Sequence, residues 1–188
     1  MRAYSSDDEA DLVKAEQDVR DRVGELDIDF AALAAVSNVF RVANAVRNHM
    51  ERDVLRPDEL SWTGFVVLFV LWVWGEQESR HLADESGISK GTLTGVVSTL
   101  ERRGLVQRRG LASDRRLVVV SLTASGTETI RRLFPRFNAH ETLVTSRLDD
   151  DQTRQLAHLL REVLRSIEAV GEHVGEHVGE RVGQDVGD

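Results

Sequence analysis

No cysteine occurs among the 188 residues. Disulfides, thiolate zinc sites and cysteine redox switching are thereby excluded. Proline occurs only at Pro57 and Pro135, where a helix is expected to stop or bend. Long apolar runs are missing. The longest, Phe65 to Trp74, is about half of the ~20 residues that span a membrane. The opening segment MRAYSSDDEADL has no apolar stretch, so no secretory signal and a cytoplasmic location are expected. Catalytic signatures are absent as well. There is no Gly-rich phosphate loop, no Ser-His-Asp context and no His-Glu-x-x-His, and His140-Glu141 lacks partner spacing. Neither an enzyme nor a cofactor is expected.

Net positive charge is also missing, since the chain carries −8. Its distribution matters more than its sum. Between Ile88 and Arg116 lie seven basic residues (Lys90, Arg102, Arg103, Arg108, Arg109, Arg115, Arg116) and two acidic ones, Glu101 and Asp114. That window is +5 and the remainder −13. A basic face on an acidic body orients the molecule toward a polyanion. Taken alone, the arginines are equally compatible with ordinary solvated surface.

The periodicities predict a mainly α protein with a small β-wing. Leu12, Val19, Val23 and Leu26 stripe one helix, either frayed on the surface or packed on a partner subunit. A second helix runs from Ile28 to Met50, capped by Asp27 or Asp29, and stops before Pro57. A third, capped by Ser61, extends to Trp74 and is apolar nearly all round, as a central core helix is. Ser79 to Glu85, a turn at Ser86-Gly87 and a helix capped by Ser89 read as helix-turn-helix. Leu105–Arg109 and Leu117–Leu122 form a hairpin. Helices from Thr123 and from Asp149 follow. The tail from Gly171 repeats GEHV, GEHV, GERV, GQDV. A glycine every fourth residue favours disorder, whereas the valine spacing would line one face of a helical extension.

The polar residues that open the fifth helix carry the chemistry. Ser89, Lys90, Gly91, Thr92, Thr94, Gly95 and Ser98 include short side chains able to meet base edges in a major groove. No Asn or Gln stands among them, so direct readout is sparse and shape must carry much of the specificity. The hairpin shoulders Arg108, Arg109, Arg115 and Arg116 can lie along phosphates. Asp114, two residues from Arg116, can orient that guanidinium, unless the two form only a surface ion pair.

Three segments resemble the multiple antibiotic resistance regulator (MarR) family. They are Leu60-Ser61 before an apolar helix, Leu82 to Val106 with Leu100-Glu101 and Gly104-Leu105, and Asp114-Arg115-Arg116 followed by Leu122-Thr123 and Gly126. The resemblance spans Ile28 to Ile167. It implies a homodimer built by terminal helices, double-stranded DNA as partner, Arg116 in a minor groove, and an effector cleft between dimerisation helices and reader. The organisation expected is an N-terminal extension helix (1–27), dimerisation helices (28–57 and 123–170), a winged helix-turn-helix domain (58–122) and a tail (171–188).

On that reading the protein is a ligand-responsive repressor of a nearby operon that binds an inverted-repeat operator. Alternatives are a winged-helix module that binds protein and a metal-sensing regulator. His49, Trp62, Phe65 and Trp72 are candidates for lining a cleft for a small aromatic effector. An aromatic stripe of this kind also suits plain core. His173 and His177 stand at metal-ligand spacing, but in so glycine-rich a repeat no metal site is expected.

Overall fold

The carboxylate of Asp29 accepts hydrogen bonds from the N–H groups of Ala31 and Ala32, both at 2.9 Å, and so opens the second helix. In this computed structural model, residues 9–110 and 118–184 are described, with side chains over 13–110 and 118–170. Helix α1 spans Glu9–Val23 and α2 spans Phe30–Met50. α2 ends at Met50, ahead of Pro57 as the sequence suggests, but the helical path continues beyond it. It widens to a π turn over Glu51–Leu55 and tightens to a 3-10 turn over Arg56–Asp58. Pro57 lies in the first residues of that short turn, where a missing N–H costs no intrahelical bond.

Ser61 caps α3 (Trp62–Trp74), its Oγ accepting from the Gly64 N–H at 3.1 Å. After α3 come strand β1 (Gln77–Glu78), α4 (Ser79–Glu85) and α5 (Lys90–Arg102). Gly104, just past α5, adopts φ +67, a left-handed helix stop that glycine tolerates without strain. Strands β2 (Val106–Gly110) and β3 (Val118–Leu122) pair antiparallel, Val106 opposite Leu122 and Gly110 opposite Val118. β1 pairs with the other edge of β3, giving the order β1-β3-β2. The hairpin turn, with Asp114, Arg115 and Arg116, lies outside the described residues.

The core explains why α4 and α5 sit as they do. Leu68 of α3, Leu82 of α4, Val120 of β3 and Ile130 and Leu133 of the next helix, α6 (Ala124–Val144), are all at most 1% exposed. Val97 and Leu100 of α5 join them at 2%. A Cβ on Gly126 would stand 1.9 Å from the carbonyl oxygen of Leu105. Only glycine lets α6 start so close to the sheet. Thr123 caps α6, its Oγ1 accepting from the Gly126 N–H at 3.0 Å and donating to the Gly104 carbonyl at 2.6 Å.

The chain divides into two compact units between Phe137 and Asn138. In the second, Asp149 and Gln152 cap α7 reciprocally: Asp149 Oδ1 accepts from the Gln152 N–H, and Gln152 Oε1 accepts from the Asp149 N–H. α7 runs from Asp150 to Gln184. Over 171–184, where the sequence leaves disorder and a helical extension open, the backbone is helical. No proline interrupts that stretch, and its valine-every-fourth spacing suits one helix face.

Candidate nucleic-acid interface

α5 sorts its residues cleanly. Leu93, Val97 and Leu100 face the core, while Ser89, Lys90, Gly91, Thr92, Thr94 and Gly95 are exposed and Ser98 is half-buried. Ser89 Oγ caps the helix, accepting from the Thr92 N–H at 3.1 Å and lying 2.9 Å from Thr92 Oγ1. Thr94 Oγ1 donates to the Lys90 carbonyl (2.9 Å) and Ser98 Oγ to the Thr94 carbonyl (2.7 Å). With those protons committed to backbone, the Thr94 oxygen has a lone pair to offer a donor from outside, and its methyl group offers an apolar contact.

The wing shoulders behave differently from a free basic patch. Arg108, on β2, sets Nε 3.0 Å from Glu101 Oε2 and donates from Nη2 to Ser98 Oγ at 2.6 Å. Its backbone N–H also reaches Glu101 Oε1, at 3.3 Å. Arg109 pairs with Glu76 at 3.2 Å, both side chains more than half exposed. An open groove between α4, α5 and the sheet brings together Arg80, Lys90, Thr94 and Arg108. Arg80 went unnoticed in the sequence because it stands alone, eight residues ahead of the basic window.

Arg103, counted in that window, turns toward the protein instead. It donates from Nη1 to the Glu59 carbonyl (2.6 Å) and from Nη2 to the Asp58 carbonyl (2.7 Å). The carboxylate of Asp58, its side chain 12% exposed, takes Arg132 and Arg136 of α6. Burial alone would raise the Asp58 pKa, but hydrogen bonds and charge from Arg132 and Arg136 together outweigh it and hold the group below the usual carboxylate range. The same contacts raise the Arg132 guanidinium. Arg136 also donates to the Val54 carbonyl. Nothing in the sequence singles out this cluster, because its members are far apart along the chain.

The four residues considered for an effector cleft are spread along α3 and the last turn of α2. Trp62 starts α3 and Trp72 nearly ends it, ten residues or about 15 Å of helix rise apart. Phe65 is core, 4% exposed, with its ring stacked 4.1 Å from that of Phe137. Trp72 leans on Phe134, centroids 5.5 Å apart. Trp62 remains half-buried beside Phe137 (6.0 Å), and its backbone N–H donates to Glu51 Oε1 at 2.8 Å, tying the turn after α2 to the start of α3. His49, also half-buried, has Nδ1 2.8 Å from Asp53 Oδ2. Among the described residues no three His, Asp or Glu side chains are placed to share a metal ion. The side chains of His173 and His177 lie outside the described ones. No described helix is long and apolar enough to cross a membrane.

Residues 60–118 match the model of the MarR family. The uncharacterized HTH-type transcriptional regulator YwaE of Bacillus subtilis is 39% identical over 155 residues, covering 81% of this chain and 91% of its own. AbsC, a MarR family transcriptional regulator from Streptomyces coelicolor, superposes with a TM-score of 0.67 at 23% identity, over 76% of this chain and 97% of AbsC. BpsR of Bordetella bronchiseptica, whose DNA binding is regulated by 6-hydroxynicotinic acid, gives 0.63 at 23% identity, over 69% and 98%.

Proposed function

The chain belongs to the MarR family of winged helix-turn-helix transcriptional regulators, and from that premise we propose a homodimeric repressor that binds an inverted-repeat operator and is released by a small aromatic effector. The observation that carries the DNA reading is the juxtaposition of an exposed polar helix face, Lys90 to Ser98, with the β2–β3 wing. Lys90, Thr92 and Thr94 lie in the major groove, with Ser89, Gly91, Gly95 and Ser98 lining the approach. Arg115 and Arg116, oriented by Asp114, enter the flanking minor groove, where narrow A·T steps favour arginine. Arg109 and Arg80 face phosphate.

Unpartnered apolar surface supports the dimer. In α2, Leu33, Val36, Val39, Phe40 and Val42 are each at least 37% exposed, and in α7, Leu159, Val163, Leu164, Ile167 and Val170 at least 42%. Monomers rarely leave such patches in water. A two-fold dimer places its two readers about one helical turn of DNA apart.

The effector belongs at the Trp62 end of α3, which Glu51 ties to the end of α2, the helix that carries His49 as a polar group. BpsR, of the same fold, answers to a small aromatic acid. Such a molecule releases DNA only by binding the DNA-incompetent arrangement more tightly than the competent one.

Footprinting on the promoter beside its own gene, with and without phenolic acids, tests the whole reading. Protection of an inverted repeat, with affinity falling steeply as salt rises, is the expected result. Equal affinity for all duplexes at physiological salt would refute it.

A further inference from the structure

Glu101 is acidic and stands on the helix that carries the basic, polar reading face. Simple electrostatics makes it a liability there, since a carboxylate near phosphates weakens binding. Its contacts suggest otherwise. One oxygen sits 3.0 Å from Arg108 Nε and the other accepts from the Arg108 backbone N–H at 3.3 Å. Arg108 reaches on to Ser98 Oγ at 2.6 Å. One carboxylate thus grips both the side chain and the backbone of a single residue of β2. β2 is an edge strand, so that N–H points away from β3 and would otherwise go to water.

We propose that Glu101 is a positioning residue for the wing. Acting through Arg108, it fixes how the β2–β3 hairpin is set relative to α5, and so how far the flanking contacts lie from the contacts made by α5. The inference rests on the reading above, that α5 and the wing meet DNA together. It changes the part given to Arg108, which is a strut inside the reader and not a hand on phosphate. At 31% and 42% side-chain exposure the pair adds little to global stability. What it supplies is geometry: two contacts from one carboxylate define a direction that one contact does not.

The sign of the effect separates this role from a bystander's. Removing a negative charge beside DNA strengthens binding if charge is all that matters. If Glu101 positions the wing, Glu101→Gln weakens operator binding about tenfold, leaves affinity for an unrelated duplex equal or higher, and leaves the melting temperature nearly unchanged. The lost discrimination falls on base pairs flanking the half-sites, while substitutions under α5 keep their full penalty.

A double-mutant cycle completes the test. Arg108→Gln and the double variant E101Q/R108Q bind operator equally, because Glu101 acts through Arg108. Additive losses, or a Glu101→Gln protein that binds operator as well as the parent, overturn the proposal. The parent protein, titrated alongside on operator and unrelated duplex, reports separately on the DNA reading. If the parent itself shows no preference, that reading falls first and this one with it.

Discussion

Asp58 accepts a hydrogen bond from Arg136 at 2.7 Å, joining the turn before α3 to α6 across 78 positions of sequence. Arg132 shares the same carboxylate, and Arg103 at the end of α5 holds the Asp58 backbone carbonyl. One residue therefore touches both the reader and α6.

Replacing it tests that joint. Asp58→Asn keeps the shape and removes the charge. The arginines are 58% and 41% exposed, so the loss is discounted for solvent to about 1 kcal/mol. The pH dependence has a definite sign. The folded-state pKa is depressed, so the stabilisation is full above the unfolded value of about 3.9 and is lost as pH falls through the lower folded value. Melting curves of parent and variant should draw together as the pH is lowered from 6 toward the acid end. Curves that stay parallel throughout would show that Asp58 contributes no charge effect.

The wing tip makes a complementary prediction. Arg116→Ala should weaken operator binding strongly, by about 1–3 kcal/mol if a specific contact is lost, with melting temperature and dimerisation unchanged. Lys90→Ala should cost less. Fluorescence anisotropy with a labelled operator measures both, and parent-like binding by Arg116→Ala removes the wing from the interface.

Gly126→Ala should fail in the fold, not in recognition. Its Cβ would meet a backbone carbonyl oxygen at 1.9 Å, and a backbone atom cannot rotate aside. A loss of about 3 kcal/mol or more is expected, seen as a melting temperature lower by roughly 6–12 °C. A variant within a degree or two of the parent would mean that α6 can shift away from Leu105 freely.

Deleting residues 1–27 should make the proposed dimer dissociate more readily on dilution. Ala15 is buried, Glu16 accepts from Asn38 at 2.9 Å, and the Arg20 guanidinium lies 5.1 Å from the centre of the Phe30 ring. α1 is thus seated on α2 while Val13, Val19 and Leu26 remain at least 40% exposed. Covered by a partner, each such side chain contributes roughly 1.5–3 kcal/mol when fully buried. Truncation from Gly171 should leave dissociation unchanged. Analytical ultracentrifugation over a dilution series decides both.

Local chemistry made α3, α4 and α5 legible. Ser61, Ser89 and Gly104 are punctuation that a reader of sequence can see, and the structure uses each for the role its type suggests. β1 was not legible, because two residues carry no period and only β3 makes them a strand. The continuation past Met50 was hidden by Pro57, since a proline signals a stop unless it falls in the first residues of a new turn. Within the candidate interface, the exposed face of α5 followed from its spacing. The destinations of Arg103, Arg108 and Arg109 did not, because each finds a carbonyl or carboxylate on a different element. Positive charge in a sequence window says nothing about which way a guanidinium turns.

The two anchors of α6 have a mechanical consequence. Near its start, Gly126 lies against the Leu105 carbonyl; ten residues on, about 15 Å along the axis, Arg136 is fastened to Asp58. A rod pinned at one point pivots, whereas a rod pinned at two carries along whatever it is pinned to. This stretch of α6 is therefore held at both ends, with Pro135 next to the second anchor. A push on it is delivered to Leu105 and, through Asp58 and Arg103, to the end of α5 together, as a change in where the reader stands and not in how it is folded.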